Sequence, residues 1–101
     1  MSDSLLDWLT EWYAAQCNGD WEHTYGVDIQ NIDNPGWTLK IDLKGTRLDG
    51  KLFEEVRHNY DDDIDWWVCL VSDGQFVGHG GPRNLNDLIR TFKNWVDRPA
   101  S

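Results

Sequence analysis

Hydrophobic residues recur at two different spacings along this chain, and the changes of spacing divide it into elements. In the first segment they recur every three or four positions, which is the period of one helix face. The residues that make this stripe are Leu5, Trp8, Leu9 and Trp12. Ser4 is a suitable N-cap, and Asn18-Gly19 is a suitable stop. The pattern predicts a helix over residues 5–17.

From Trp21 the period changes to two, which predicts a strand that runs to Gln30. Residues 37–44 alternate in the same way and predict a second strand. Between them, Asn34-Pro35-Gly36-Trp37 has the composition of a type II turn, with Gly36 at the position that needs a positive φ. The two strands and the turn predict a β-hairpin.

The rest of the chain gives shorter signals. Residues 48–51 predict a turn, and residues 53–60 fit either a helix or a strand. We favour the strand, because the segment is short and lies between hairpins. Residues 66–71 predict a buried strand, 72–74 a turn, 75–77 a short return strand and 78–82 a loop. Asn84 and the apolar stripe from Leu85 to Val96 predict a final helix.

This order of elements predicts an α+β fold. The expected architecture is an antiparallel sheet of about five strands, with the N-terminal and C-terminal helices packed on one face, because that arrangement buries every apolar stripe at once. The length of 101 residues and the lack of a linker or repeat indicate one domain over residues 1–101.

Composition narrows the classes of function. The formal net charge of −9 disfavours binding to nucleic acid or to anionic membranes, and it favours a basic protein partner. The same charge is also compatible with a role in solubility alone. No apolar run approaches the roughly 20 residues of a membrane span, and no secretory signal is visible, so a cytoplasmic location is expected. Cys17 and Cys69 lack CxxC spacing and are expected to be free thiols.

The candidates for catalysis or metal binding are weak. Glu22 and His23 are adjacent, so in a regular strand their side chains would point to opposite faces and would not share a substrate. His23, His58 and His79 have no zinc-ligand spacing. Cys69 lies in the middle of a predicted strand, where a buried structural thiol is the simpler interpretation. No catalytic, cofactor or metal residue is therefore assigned.

A protein-binding surface is better supported by the sequence than a catalytic or metal site. Trp66 and Trp67 are adjacent in a predicted strand, so one is expected to face the helices and the other to face outward. An outward Trp66 beside acidic residues would combine an aromatic anchor with a rim that attracts basic partners. The predicted partner-binding residues are Asp61, Asp62, Asp63, Asp65 and Trp66, with Glu22 as a weaker candidate.

Several of these segments together resemble the immunity protein 53 family of bacterial polymorphic toxin systems. The resemblance covers nearly the whole chain in order. Its most specific parts are Gly19-Asp20-Trp21-Glu22-His23 and Asp33-Asn34-Pro35-Gly36-Trp37. The other segments that carry it are Trp12-Tyr13 with Cys17, Tyr25-Gly26-Val27, Asp42-Leu43 with Gly45-Thr46, Phe53–Val56, Asp65-Trp66, Gly80-Gly81-Pro82 and Asn84-Leu85.

The resemblance implies a small cytoplasmic α+β protein that neutralises a cognate toxin, usually encoded beside it, without catalysis or cofactor. Many toxins of these systems are nucleases, and a basic nuclease cleft would suit an acidic inhibitor. Two alternatives stay open: a small enzyme or ligand-binding domain that uses Cys69, His23 or His79, and an interaction module outside toxin systems. Whether the free protein forms a homodimer is also open.

Overall fold

The computed structural model describes residues 4–59, 61 and 64–99, and it confirms the α+β prediction. The helices and strands, in chain order, are α1 (Leu5–Gln16), a 3-10 turn (Trp21–His23), β1 (Val27–Ile32), β2 (Gly36–Asp42), β3 (Val56–His58), β4 (Trp67–Ser72), β5 (Gln75–Gly80) and α2 (Leu85–Asp97). The five strands form one antiparallel sheet in the order β1-β2-β5-β4-β3. In the described part of the chain, neither helix is long and apolar enough to cross a lipid bilayer.

The core lies between the two helices and one face of the sheet. The strand register places Leu39, Ile41 and Phe76 on that face, and all three are fully buried. Both helices add side chains to the same cluster, α1 through Leu9 and α2 through Leu88, Ile89, Phe92, Trp95 and Val96. The prediction that both helices pack on one face is therefore confirmed.

The start of α1 follows a local rule, but the end of α2 depends on a distant residue. Ser4 Oγ accepts a hydrogen bond of 2.9 Å from the amide of Asp7, as expected of an N-cap. At the other end of the fold, Lys51 Nζ donates 2.8 Å hydrogen bonds to the carbonyl oxygens of Trp95 and Arg98. A cation at this position satisfies the last carbonyl groups of the helix and interacts favourably with its dipole.

The predicted strand over residues 21–30 begins only at Val27, so its first part is wrong. Residues Trp21–His23 form a 3-10 turn instead. The indole Nε1 of Trp21 donates to the carbonyl oxygen of Lys44 at 2.8 Å, and the backbone amide of Trp21 donates to Asn18 Oδ1 at 2.9 Å. These contacts fix a compact turn beneath a buried indole, although the sequence there alternates like a strand.

The predicted hairpin of β1 and β2 is confirmed, but the predicted turn type is wrong. The Asn34–Pro35 peptide bond is cis, and Gly36 does not have a positive φ. Gly36 instead begins β2 in the extended region, where a Cβ atom would lie 2.2 Å from the carbonyl oxygen of Gly80. A glycine is required at this position because the backbone of the neighbouring strand β5 approaches so closely.

The later strands also differ in length from the prediction. Of the described residues 53–59, only Val56–His58 form a strand, while Phe53 packs against Phe76 with ring centroids 5.5 Å apart. Tyr60 lies outside the described residues. The return strand continues to Gly80, through part of the predicted loop. The turn before it is confirmed: Asp73 and Gly74 have φ values of 54° and 75°, as in a two-residue type I′ hairpin.

Candidate functional site

The segment before β4 contains most of the predicted partner-binding residues. Asp61 is an exposed turn residue, whereas Asp62 and Asp63 lie outside the described residues. The Asp65 side chain is 62% exposed, and its Oδ2 lies 3.8 Å from His58 Nε2. Trp66 is half-buried and lies just before the strand. Asp65, the described acidic residue next to Trp66 in the chain, is therefore exposed, whereas Trp66 itself is partly covered.

The second tryptophan of the pair faces the helices. Trp67 belongs to the helix-facing side of β4 and stacks on the imidazole of His58, with centroids 4.0 Å apart and an interplanar angle of 19°. Its indole Nε1 is buried and has no hydrogen-bond partner among the described residues. The two adjacent tryptophans therefore have different positions, and Trp67 packs against the hydrophobic core.

Asn84 connects this acidic segment to α2. Its side chain is buried, and its Nδ2 donates to Asp65 Oδ1 at 3.0 Å and to Asp87 Oδ2 at 2.8 Å. Its Oδ1 accepts from the amide of Trp66 at 3.3 Å. The amide of Gly81 donates to the carbonyl oxygen of Trp66 at 2.9 Å. Asn84 and Gly81 therefore hold the backbone of Trp66 in place.

This role of Asn84 is not visible in the sequence. Its position before an apolar stripe predicts an N-cap, and Asn84 does occupy that position in α2. However, its side chain makes no capping hydrogen bond and is used by the network instead. Only the strand register, which brings Gly80 beside β4, shows that Asn84 is close to Asp65.

Glu22 lies at the other side of the molecule, in the 3-10 turn that follows α1. Its Oε1 and Oε2 accept from the amides of Asn18 at 2.9 Å and Gly19 at 2.8 Å. The pKa of Glu22 is lowered, first by its own backbone amide and then by the amides of Asn18 and Gly19. The carboxylate thus stabilises the connection after α1, and the nearby His23, which is exposed, also lowers the pKa of Glu22.

The remaining nucleophile and imidazole candidates are not brought together. Cys69 is fully buried, and burial raises the pKa of its thiol to about 12. His58 lies on the helix-facing side at the edge of the sheet, whereas His79 is on the opposite face, 3.1 Å from Thr38 Oγ1. Burial and the nearby Lys40 ammonium lower the pKa of His79. Within the described ranges, no group of three or more His, Cys, Asp or Glu residues could hold a metal ion.

Surface depressions lie on two sides of the described part of the chain. One lies where Lys51 contacts the end of α2; its volume is about 450 Å³, and Arg47 and Arg98 contribute to its lining. The other is an apolar groove of about 190 Å³ between α1 and β1. We call the second one the α1–β1 groove; its lining residues are Leu6, Leu9, Thr10, Tyr13, Val27 and Ile29.

Comparison with known proteins identifies one family. The family model described as immunity protein 53 matches residues 6–97. No curated protein and no solved structure matches the chain. The matched segment begins in the first turn of α1 and ends at the last residue of α2, so it contains the whole sheet. The chain therefore belongs to the immunity protein 53 family.

Proposed function

We propose that this protein is an immunity protein that binds a cognate polymorphic toxin domain stoichiometrically and neutralises it by occlusion, without catalysis. The observation that carries the proposal is the family match over residues 6–97. The burial of Cys69 and the separation of His58 and His79 on opposite faces of the sheet support a binding protein over a thiol or imidazole enzyme.

The charge of the chain supports a basic partner. With a net charge of −9, the protein attracts a positively charged surface and accelerates the encounter with it. A nuclease is a suitable target, because its cleft must be basic to hold phosphate groups. The substrates of such a toxin lie in the cytoplasm, so the proposal also places the immunity protein there. Neither nucleic acid nor membrane is a proposed partner.

The acidic segment before β4 is the proposed first contact. Asp61 and Asp65 are exposed, and Asn84 holds the backbone of Trp66 in place. A fixed backbone reduces the ordering cost of binding. Asp62 and Asp63 belong to the same proposed contact on sequence grounds, and Glu22 is a more peripheral candidate.

Co-expression tests the function directly. The toxin domain encoded by the neighbouring gene is expressed with and without this protein, and cell survival and complex formation on gel filtration are measured. We expect survival and a stoichiometric complex, while the toxin alone kills. Undiminished killing together with separate elution of the two proteins would contradict the proposal.

A charge-matched pair of variants tests the acidic contact. The triple variant D61N/D62N/D63N removes three charges from the proposed contact. The control D49N/E54Q/D73N removes three charges from exposed residues elsewhere. We expect the first variant to associate about tenfold more slowly than wild type at physiological ionic strength and with a weaker salt dependence than the control, because screening there limits steering to charges within about 8 Å of the partner. Equal association rates for both variants would remove this segment from the interface.

A further inference from the structure

The outer edge of β1 is open in the described part of the chain. β1 is the first strand of the sheet order, and β2 is the one strand with which it pairs. The amide of Asp42 donates to the carbonyl oxygen of Gly26, and the register then alternates from this hydrogen-bonded pair. The backbone groups of Asp28 and Gln30 therefore point toward β2.

The alternate residues of β1 point their backbone groups outward. By the same register, the N–H and C=O groups of Val27, Ile29 and Asn31 face the open edge. The pairing of β2 with β5 supports this assignment. The amide of Leu43 donates to the carbonyl oxygen of Gly74, so the backbone groups of the odd-numbered residues of β2 point toward β5 and those of the even-numbered residues point toward β1. An edge strand with three outward pairs of groups is a template for another strand.

The α1–β1 groove adjoins this edge. Val27 and Ile29 line the groove with their side chains while their backbone groups face outward. On α1, Leu6 is 52% exposed and Tyr13 is 37% exposed. A volume of about 190 Å³ is below the range of about 300–1,000 Å³ that is usual for small-molecule sites. The groove is suited to one or two side chains of a segment that pairs with the edge.

The charge around the groove determines what kind of segment fits it. Residues 1–39 contain no lysine or arginine, and all nine basic residues lie from Lys40 onward. The exposed acidic residues of α1, β1 and the turn after β1 are Asp7, Glu11, Asp28 and Asp33. A second copy of the chain would bring the same acidic surfaces together, whereas a basic segment is attracted.

We propose that the β1 edge binds an extended, basic segment of the toxin as a sixth strand of the sheet, with an apolar side chain of that segment in the α1–β1 groove. This inference rests on the proposed function and names the surface that anchors the toxin. Backbone pairing supplies affinity in such strand addition, and the pocket beside the edge supplies specificity.

Amide hydrogen exchange tests the alternation directly. Exchange is measured by NMR for the protein alone and with a saturating amount of the toxin domain from the neighbouring gene. We expect the amides of Val27, Ile29 and Asn31 to slow by at least about tenfold on binding, while those of Asp28 and Gln30 change little, because they are already paired with β2. Protection of the three outward amides in the protein alone, rising with its concentration, would assign the edge to a second copy and overturn the proposal.

Matched variants test the groove and the edge separately. Leu6→Ser should weaken toxin binding about tenfold, whereas Leu52→Ser, at a residue that is 87% exposed and outside the groove, should not. Asn31→Pro removes an outward N–H, and Asn31→Ala keeps it while removing the same side chain. We expect the proline variant to bind about threefold to tenfold more weakly than the alanine variant. Circular dichroism and thermal melting verify that each variant is folded.

The outcomes separate this inference from the proposed function. If a stoichiometric complex forms but the three outward amides exchange as before and Leu6→Ser binds like Leu52→Ser, the edge is not the docking surface and the immunity function stands. If no complex forms and the toxin kills, the proposed function fails and the strand addition fails with it.

Discussion

Replacement of Asn84 tests whether the network beside the acidic segment holds the fold together. Asn84 is 4% exposed, and its side chain makes three hydrogen bonds, to Asp65, to Asp87 and from the amide of Trp66. Asp87 keeps its ion pair with Arg90 at 2.8 Å when Asn84 is lost, so the cost at that carboxylate is small. Asn84→Ala should therefore mainly cost the bonds to Asp65 and Trp66.

The magnitude follows from these bonds. Each contributes about 0.5–1.5 kcal/mol net, and Asp65 is largely solvated, so we expect Asn84→Ala to lower the free energy of unfolding by about 2 kcal/mol. For a domain of this size, that loss corresponds to a fall in the melting temperature of about 8–16 °C. Asn84→Asp should cost more at neutral pH, because it removes both donors and places a third carboxylate between Asp65 and Asp87.

Two further variants separate the network from ordinary helix capping. Serine is a favoured N-cap residue, so Asn84→Ser should be about as stable as wild type if capping is what Asn84 supplies. If the network matters, Asn84→Ser should be as unstable as Asn84→Ala. Asn94→Ala, at an exposed residue of the same helix, serves as the control and should change stability by less than about 0.5 kcal/mol. Urea denaturation measures all four variants, and an Asn84→Ala value within that margin would refute the reasoning.

Three other measurements follow from described contacts. Lys51→Met should cost about 1–2 kcal/mol in urea denaturation, because the carbonyl groups of Trp95 and Arg98 lose a charged donor; an unchanged midpoint would contradict this. The pKa of His79 is lowered from its ordinary value of 6.5, so the unfolded chain binds the proton more readily and stability should fall as the pH drops through that value. His79→Gln should flatten this dependence between about pH 7 and pH 5.5, and an unchanged slope would contradict it. Cys69 is buried with a pKa of about 12, so a thiol reagent should label one cysteine in the native protein and both in denaturant.

Regular elements with a long, clear period could be predicted from the sequence. The stripe of α2 and the alternation of β2 each extend over several repeats, so their type and face were determined locally. The segment after α1 shows the limit of this approach. His23, Tyr25, Val27 and Ile29 alternate across a boundary between a 3-10 turn and a strand. The indole of Trp21 fixes that boundary by a hydrogen bond to Lys44, a residue distant in sequence.

The predicted loop over residues 78–82 was wrong as far as Gly80 because the role of the glycines in β5 also depends on distant residues. Gly78 and Gly80 suggest a loop in the sequence, yet both belong to the strand. A Cβ atom at Gly78 would lie 3.1 Å from Leu88 Cδ2, so the glycine permits α2 to pack closely on the sheet. Such close approaches depend on tertiary packing, which no local pattern records.

Much of the candidate site could not be predicted from the sequence either. The sequence shows an acidic run beside tryptophans, and the structure adds that Asn84 anchors Asp65 and Trp66. The open edge of β1 follows only from the strand order, because alternation predicts a strand without telling whether it lies at the centre or the edge. The acidic character of residues 1–39 can be read from the sequence. Only the structure shows that α1 and β1 border one groove, so that these acidic residues surround a common surface.

The connectivity of the sheet divides the molecule into two locally closed halves. The first contains α1 and the β1–β2 hairpin, and the second contains β3, the β4–β5 hairpin and α2. The halves meet where β2 pairs with β5 and where the helices touch. Because the ladder contacts within a half join residues that are close in sequence, pairing inside a half costs less loop-closure entropy than pairing between the halves. A chain cleaved between β2 and β3 should accordingly reassemble from its two pieces. The open edge of β1 belongs to the N-terminal piece, in which no lysine or arginine precedes β2.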